Sequence, residues 1–519
     1  MSTEDQNKAV VTLNLGVDVD AFIEDMVSGK NHTEFMPHRA VELFNEKPDS
    51  LRNVDFVLTR EEAELLKQDP RVIDVRYGTK VENGFILRGT SVDATRLYSK
   101  TNTLDATHYN WGIPSCINAT NPFSGTDLNF AHGFPVAGNG VDVVIQDSGI
   151  LATHPEWLTF DGTASRLQQV NWPTVAGLTG TYTQDANHYT DPDGHGTHVA
   201  STAVGRLYGW AKAANIYSIA IIDNPAAFGV SASFNLIRAW HNLKSNTSLG
   251  YKRPTVVNMS WAYYKIYENI TGGNYRGTPW TATTPQSLYG MVSTIYNRLT
   301  SPTRYYHPVR VSSVDADILD CVNAGIILVA AAGNDAHKID NAETLEAIEG
   351  VDYDNYYTDS VVGTTYYHRG ATPCNTAGVI TVGSVKIAQP EGKNFFSNAG
   401  AGVNVWAPGE EIMGAVPVGS TIEVANDSVE YPGNASFKAT KISGTSMAAP
   451  QVTGVVAGLL EARPEYNQAA VGNWISTSSS TARLSDTGGS YADLQSLQGG
   501  PNKFLRQPFS SSTAWSFTG

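Results

Sequence analysis

Three short runs hold residue types able to move protons and attack a carbonyl. Val144-Ile145-Gln146-Asp147-Ser148-Gly149 delivers a carboxylate at the end of an apolar run, where a small residue and a glycine turn the chain. In α/β sheets that edge is where ligands bind, although Asp-Ser-Gly is also a common turn. Asp193-Gly194-His195-Gly196-Thr197-His198 sets His195 between two glycines, which leaves its imidazole uncrowded, and Thr197 and His198 open a helix. The His195/His198 pair lacks the acidic partner of a His-Glu-x-x-His metal site, so His198 is expected to be a packed structural histidine. Ile442-Ser443-Gly444-Thr445-Ser446-Met447-Ala448-Ala449-Pro450 puts a serine at the start of a helix. There it sits near the positive end of the macrodipole, with an N–H free to bind an oxyanion. A plain helix N-cap is the other reading of Ser446. A neutral hydroxyl becomes a nucleophile only beside a base, so these runs carry chemistry only if the fold brings them together.

The elements needed to do so are legible from residue 141 onward. Near-continuous β-branched runs at 141–147, 215–222, 254–260, 325–332, 378–384 and 403–408 are apolar on both faces, as strands of a covered parallel sheet must be. Helix-like segments at 197–205, 232–244, 313–324 and 446–461 alternate with them, the α/β signature. The spacing predicts one doubly covered parallel sheet in a body spanning residues 107–475. Three long segments interrupt it, at about 263–312, 335–376 and 415–440, and loops of such length are functional or carry their own structure. Before it, residues 1–80 read as a small ferredoxin-like α+β unit, with strands at period two and helices with apolar residues at spacings of three and four. Residues 81–106 read as a connector, and residues 476–519 as a C-terminal extension expected to be extended and partly ordered at best.

Composition narrows the partners. Against 35 Lys plus Arg stand 50 Asp plus Glu, a net charge of −15, which argues against a phosphate-backbone partner; no nucleic acid is expected. The 519 residues allow two to four domains at roughly 100–200 residues each. Cys116, Cys321 and Cys374 form neither a disulfide framework nor a zinc knuckle; at most one bridge can form, and free thiols are the expectation. No apolar run reaches the roughly 18 residues of a membrane span, so no membrane partner is expected. The Met1–Lys8 stretch has no apolar h-region, which makes a cytoplasmic or virion-associated setting the expectation over classical secretion.

In the order Asp, His, Ser, the three runs resemble those of the subtilisin-like serine proteases. The likeness extends to His154–Trp157, to Asn258–Ala262, to the Ala-Ala-Ala-Gly-Asn run ending at Asn334, and to Phe396–Gly409. Gly205–Lys212 is nearest the proteinase K-like branch and leaves no room for the calcium loop that bacterial subtilisins carry after the histidine helix. The resemblance implies a polypeptide substrate, with Ser446 as nucleophile, His195 as general base and Asp147 orienting the imidazole. It implies an oxyanion hole from Asn334 and the Ser446 N–H, and substrate binding along Ser260, Trp261, Ala262 and Gly333. No cofactor is required; structural calcium could sit in an acidic loop such as Asp352–Asp359, but solvated surface charge is the commoner meaning of such a run.

Two departures matter. The substrate-pairing segment usually reads Ser-Leu-Gly, whereas Ser260-Trp261-Ala262 adds a methyl and an indole beside the primary specificity pocket. A restricted pocket is therefore expected. Residues 54–78 resemble the inhibitory propeptide of the same family, which implies a pro-domain acting in cis and self-cleavage within the connector. An unrelated adaptor is the competing reading. The low share of charged residues, 16% against about 25% in average domains, and the Tyr-rich insertions admit a second function class. That class is a virion or multiprotein assembly component keeping the protease fold for structural contacts.

Overall fold

The computed structural model describes residues 8–29, 34–44, 50–77, 110–117, 136–159, 161–247, 250–267, 270–275, 278–281, 305–336, 338–339, 356–361, 363–366, 370–488 and 495–507. The connector at 81–106 and much of the first two insertions lie outside them.

The N-terminal unit runs β1 (Lys8–Leu13), α1 (Val19–Ser28), β2 (Glu42–Leu43), β3 (Asn53–Val57), α2 (Arg60–Leu66) and β4 (Val72–Tyr77). Its antiparallel sheet has the order β2-β3-β1-β4, the ferredoxin-like arrangement. Local chemistry starts both helices: Asp18 caps α1 by accepting from the Ala21 N–H at 3.1 Å, and Thr59 with Glu62 forms a reciprocal capping box on α2. Phe22, Met26, Phe56 and Leu66 fill a small core between helices and sheet.

The larger body begins with α3 (Gly112–Ile117), β5 (Asp142–Asp147), α4 (Trp172–Val175), α5 (His195–Val204), β6 (Asn215–Ala220), α6 (Val230–Leu243) and β7 (Thr255–Met259). The first insertion contributes β8 (Tyr264–Tyr267), β9 (Ile270–Tyr275), β10 (Thr278–Thr281) and β11 (Tyr305–Pro308). There follow α7 (Ser312–Asn323), β12 (Ile327–Ala331), β13 (Tyr356–Asp359), β14 (Gly363–Tyr366), β15 (Ile380–Val385) and β16 (Val405–Pro408). The chain continues through β17 (Ile412–Val416), α8 (Thr421–Ala425), β18 (Ser428–Tyr431), β19 (Asn434–Ile442), α9 (Thr445–Ala462), α10 (Gln468–Ser478), β20 (Ser480–Thr481) and β21 (Lys503–Phe504).

Eight strands form the central sheet in the order β20-β21-β16-β15-β12-β7-β5-β6. Every pairing in it is parallel except β20 with β21. Val143, Val144 and Ile145 of β5 are wholly buried, as a strand covered on both faces requires. Helices α5 and α9 pack on each other and on the sheet, and α6 pairs with α7. The third insertion is a separate antiparallel sheet, β17-β19-β18, with α8 at its tip.

The tail differs from expectation. A boundary at residue 475 falls inside α10, and β20 and β21 then complete the sheet edge. Arg483 fixes this return through Glu391 at 2.6 Å, and the Trp406 indole donates to the Pro501 carbonyl at 2.9 Å. A sparse run of Ser, Thr and Gly hid a segment whose order comes from long-range partners rather than local propensity. All three cysteines are free and buried.

The N-terminal sheet seats on α7 through β1 and β4. Arg52 pairs with Asp320 at 3.1 Å and donates to the Ala316 carbonyl at 2.8 Å. Asn53 Nδ2 donates to the Ser313 carbonyl at 2.9 Å, and Ser312 Oγ to Asp74 Oδ2 at 2.8 Å.

Candidate active site

Strands β5, β7 and β12 end on one side of the sheet, and the residues after β7 and β12 meet the start of α9. Asp147 closes β5, fully buried, and its Oδ1 accepts from His195 Nδ1 at 2.7 Å and from the Ser148 N–H at 2.8 Å. With Nδ1 engaged, Nε2 is the basic nitrogen of the neutral ring. Burial disfavours the imidazolium, but the Asp147 charge and hydrogen bond outweigh it, so His195 lies above its ordinary 6.5.

What places His195 is a residue the sequence reading passed over. Asp191 Oδ1 accepts from Ser148 Oγ at 2.8 Å and from the Gly194 N–H at 2.9 Å, while Oδ2 accepts from the Thr197 N–H at 2.8 Å and Thr197 Oγ1 at 2.6 Å. Ser148 Oγ in turn accepts from the Gly196 N–H at 2.8 Å. The first N–H groups of a helix have no partner of their own, and this buried carboxylate supplies one while tying the end of β5 to the start of α5. Burial raises its carboxyl to about 6, against the pull of those hydrogen bonds. Gly196 is required by space: a Cβ there would lie 2.2 Å from the Gly149 carbonyl oxygen. Asp191 lies four residues before His195 and two before the run singled out in the sequence, and that proximity was the available signal for it.

His198 is packed, as its spacing suggested. Its Nε2 reaches the carbonyls of Ile412 at 3.0 Å and Thr440 at 3.2 Å, joining α5 to the β17/β19 sheet, and burial pushes the ring down to about 3. From the same insertion, the Thr421 and Ile422 N–H groups donate to the carbonyls of Pro192 and Asp193, so α8 buttresses the histidine loop.

Ser446 lies in the first turn of α9, whose N-cap residue is Gly444. The Thr445 N–H and Oγ1 both donate to Asn334 Oδ1 at 2.8 Å, which locks the Asn334 amide across the helix start. Ser446 Oγ donates to the Ser260 carbonyl at 3.3 Å. Ser260, Trp261, Ala262, Gly333, Asn334 and Ser446 all border one small recess, together with Tyr264 and Asp335. Of the two expected causes of restriction, Ala262 borders the recess, and only the role given to the Trp261 indole needs correcting. Trp261 spends its indole on the core, donating to Gln146 Oε1 at 3.1 Å and packing on Phe234. The ring bordering the recess as part of the insertion is that of Tyr264, whose hydroxyl donates to Asp335 Oδ2. No local pattern announces that pair, since it forms only when the insertion folds back on the end of β12.

Among the described residues, no group of three or more His, Cys, Asp or Glu side chains is arranged to hold a metal ion; residues 351–355 of the acidic loop lie outside them. No helix among the described residues is long and apolar enough to cross a membrane.

A parallel α/β body with an Asp–His pair at one strand end and a serine at a facing helix start is a subtilisin-like architecture. Residues 138–500 match the Subtilase family, and the chain belongs to it. Among relatives, it is 27% identical over 335 residues to a cuticle-degrading protease of Metarhizium anisopliae, covering 64% of this chain and 57% of that protein. It is 28% identical over 371 residues to an alkaline proteinase of Hapsidospora chrysogena, covering 71% and 61% respectively. The chain thus spans about three fifths of the length of these curated relatives. A crystal structure of a cold-adapted subtilisin-like serine proteinase aligns with a TM-score of 0.47 at 21% identity, covering 77% of this chain and 99% of that one.

Proposed function

We propose that this chain is a serine endopeptidase that hydrolyses polypeptides through Asp147, His195 and Ser446. The observation that carries this reading is the buried 2.7 Å contact between His195 Nδ1 and Asp147, on the strand edge that faces the Ser446 helix. Ser446 Oγ attacks the scissile carbonyl while His195 Nε2 takes its proton. Asp147 holds the ring and stabilises the imidazolium that forms. The carbonyl oxygen, now an oxyanion, receives hydrogen bonds from Asn334 Nδ2 and the Ser446 N–H. The imidazolium then protonates the leaving amine, and water repeats the sequence on the acyl-enzyme. Side chains and one backbone N–H supply this chemistry, so no cofactor is invoked.

Residues 1–80 act as a pro-domain in cis on this reading. Support comes from the ferredoxin-like sheet seated on α7 and from the tether, which makes docking intramolecular at an effective concentration on the order of millimolar. The test is a fluorophosphonate probe with peptide mass spectrometry. Labelling confined to Ser446, and lost in Ser446→Ala together with peptide cleavage, is the expected result. A folded wild-type chain that neither labels nor cleaves, or a Ser446→Ala chain that cleaves like wild type, defeats the assignment.

A further inference from the structure

Next to Ser446, where the side chain preceding the scissile bond must go, the recess is about 20 Å³. That is room for about one water, which needs some 10–15 Å³ on the same measure. Gly333 and Asp335 are among the residues that line it. Gly333 has φ +101°, and a Cβ on it would lie 2.4 Å from Asn398 Nδ2 and 3.0 Å from Tyr264 Oη, so the wall cannot recede there. Asn398 Oδ1 accepts from the Asp335 N–H at 3.1 Å, which pins the carboxylate-bearing residue in place. Tyr264 is the first residue of β8, pairs there with Pro308 of β11, and is 3% exposed. Its hydroxyl donates to Asp335 Oδ2, and Asp335 is itself 4% exposed.

We propose that Tyr264, held by Asp335, is the specificity-determining residue of this enzyme. The phenol closes the recess to all but glycine, alanine and serine side chains, and it covers a carboxylate that would otherwise select lysine or arginine. The proposal rests on the proteolytic reading and deepens it by naming the substrate class. Burial raises the Asp335 carboxyl to about 6, and hydrogen bonds from the Tyr264 phenol and from the backbone at Asn334 oppose that rise, as expected of a buried carboxylate with protein donors in place of solvent. A phenol donating to a carboxylate forms a polar plug: opening it costs that hydrogen bond, and an entering cationic side chain would replace it with a stronger, charge-assisted one.

The test uses the mature enzyme with fluorogenic peptides, and matched peptidyl diphenylphosphonates, that differ only in carrying Ala, Phe or Lys before the scissile bond. Wild type is expected to prefer Ala over Phe and Lys by about 10–200-fold, the range that pocket volume commands. Tyr264→Ala is expected to raise the Lys:Ala ratio of kcat/KM by at least about tenfold and the Phe:Ala ratio by less. Adding Asp335→Asn should abolish the Lys gain and spare the Phe gain. Tyr264→Phe keeps the ring but loses the hydrogen bond to Asp335, so it should lower the Ala preference part of the way, a reading that stands should Tyr264→Ala not fold; a folded Tyr264→Phe with the wild-type profile overturns the role of Asp335. A wild-type enzyme that takes Phe or Lys as well as Ala overturns the proposal, as does an unchanged profile in folded Tyr264→Ala. No Ser446-dependent cleavage or phosphonate labelling with any of the three is a different failure, that of the proteolytic reading itself.

Discussion

Ser260 and Ser446 are joined twice: Ser260 Oγ donates to the Ser446 carbonyl at 3.0 Å, and Ser446 Oγ donates to the Ser260 carbonyl at 3.3 Å. The first bond exists because residue 450 is proline. In a regular helix the N–H of residue 450 would close on the Ser446 carbonyl, and proline has none to give. Asn258 Nδ2 donates to Ser260 Oγ at 2.9 Å, and Thr453 Oγ1 to Asn258 Oδ1 at 2.8 Å, so the link is anchored back on α9. Ser260→Ala therefore strands a buried carbonyl and a buried amide, at a cost of about 1–3 kcal/mol. Urea unfolding should show a lower midpoint with an unchanged m value, and Ser260→Thr should recover most of it.

Asn334 is held by its oxygen. Because Thr445 donates twice to Oδ1, the amide orientation is fixed before substrate arrives, which is the preorganisation that electrostatic catalysis needs. Asn334→Ala should lower kcat on the order of 10²–10³-fold and leave KM near its wild-type value. A raised KM with unchanged kcat would assign Asn334 to substrate binding instead.

These two arguments differ in how much of them was visible in sequence. The six parallel strands could be read because each is a short run apolar on both faces, and burial of both faces is what the covered sheet imposes on sequence. Ser446, His195 and Asp147 stood out because glycines and alanines crowd around them, and small residues mark places where backbones approach closely. Asp191, whose partners include the nearby Gly194 and Thr197, lay just outside the histidine run, whereas Tyr264 and the α10–β21 tail were missed for a common reason. Their roles depend on partners far along the chain, such as Tyr264 with Asp335 or Arg483 with Glu391, and no local period encodes those contacts. Trp261 was misjudged the same way: its position beside the recess was right, but Gln146 on β5 decides where its indole goes.

The pH profile should follow the His195–Asp147 pair. Catalysis needs the neutral imidazole, and the Asp147 carboxylate holds the proton on the ring to higher pH than the ordinary 6.5. The acid limb of kcat/KM should therefore lie above 6.5, with activity rising as pH rises through it. Stability runs the other way: a raised histidine value stabilises the fold fully at low pH and loses that contribution as pH rises through the folded value. Asp147→Asn should move the acid limb down and reduce kcat by about 10⁴-fold. A limb that stays in place in that variant would mean another group controls it.

The seat of the N-terminal unit should weaken as pH rises. Asp317 on α7 is buried at this contact, and its Oδ2 has no hydrogen-bond partner among the described residues. Burial raises its carboxyl to about 7, opposed by hydrogen bonds from Ser50 and Ser231, reinforced by the nearby Asp320 charge and lessened by Arg238. Arg52 from the N-terminal unit is spent on Asp320 at 3.1 Å. Docking thus favours protonated Asp317: its contribution is complete below the ordinary 3.8 and is lost as pH climbs from there toward about 7. In the full-length Ser446→Ala chain, amide exchange in β1 and β3, corrected for intrinsic rates, should be at least about tenfold less protected at pH 8 than at pH 5, the equivalent of one pKa unit. Asp317→Asn should flatten that difference, because an amide cannot ionise. Arg52→Ala should loosen the unit at both pH values by about 3–5 kcal/mol, since it leaves Asp320 buried without its partner. Equal pH dependence in wild type and Asp317→Asn would place the sensitive group elsewhere on the α7 face.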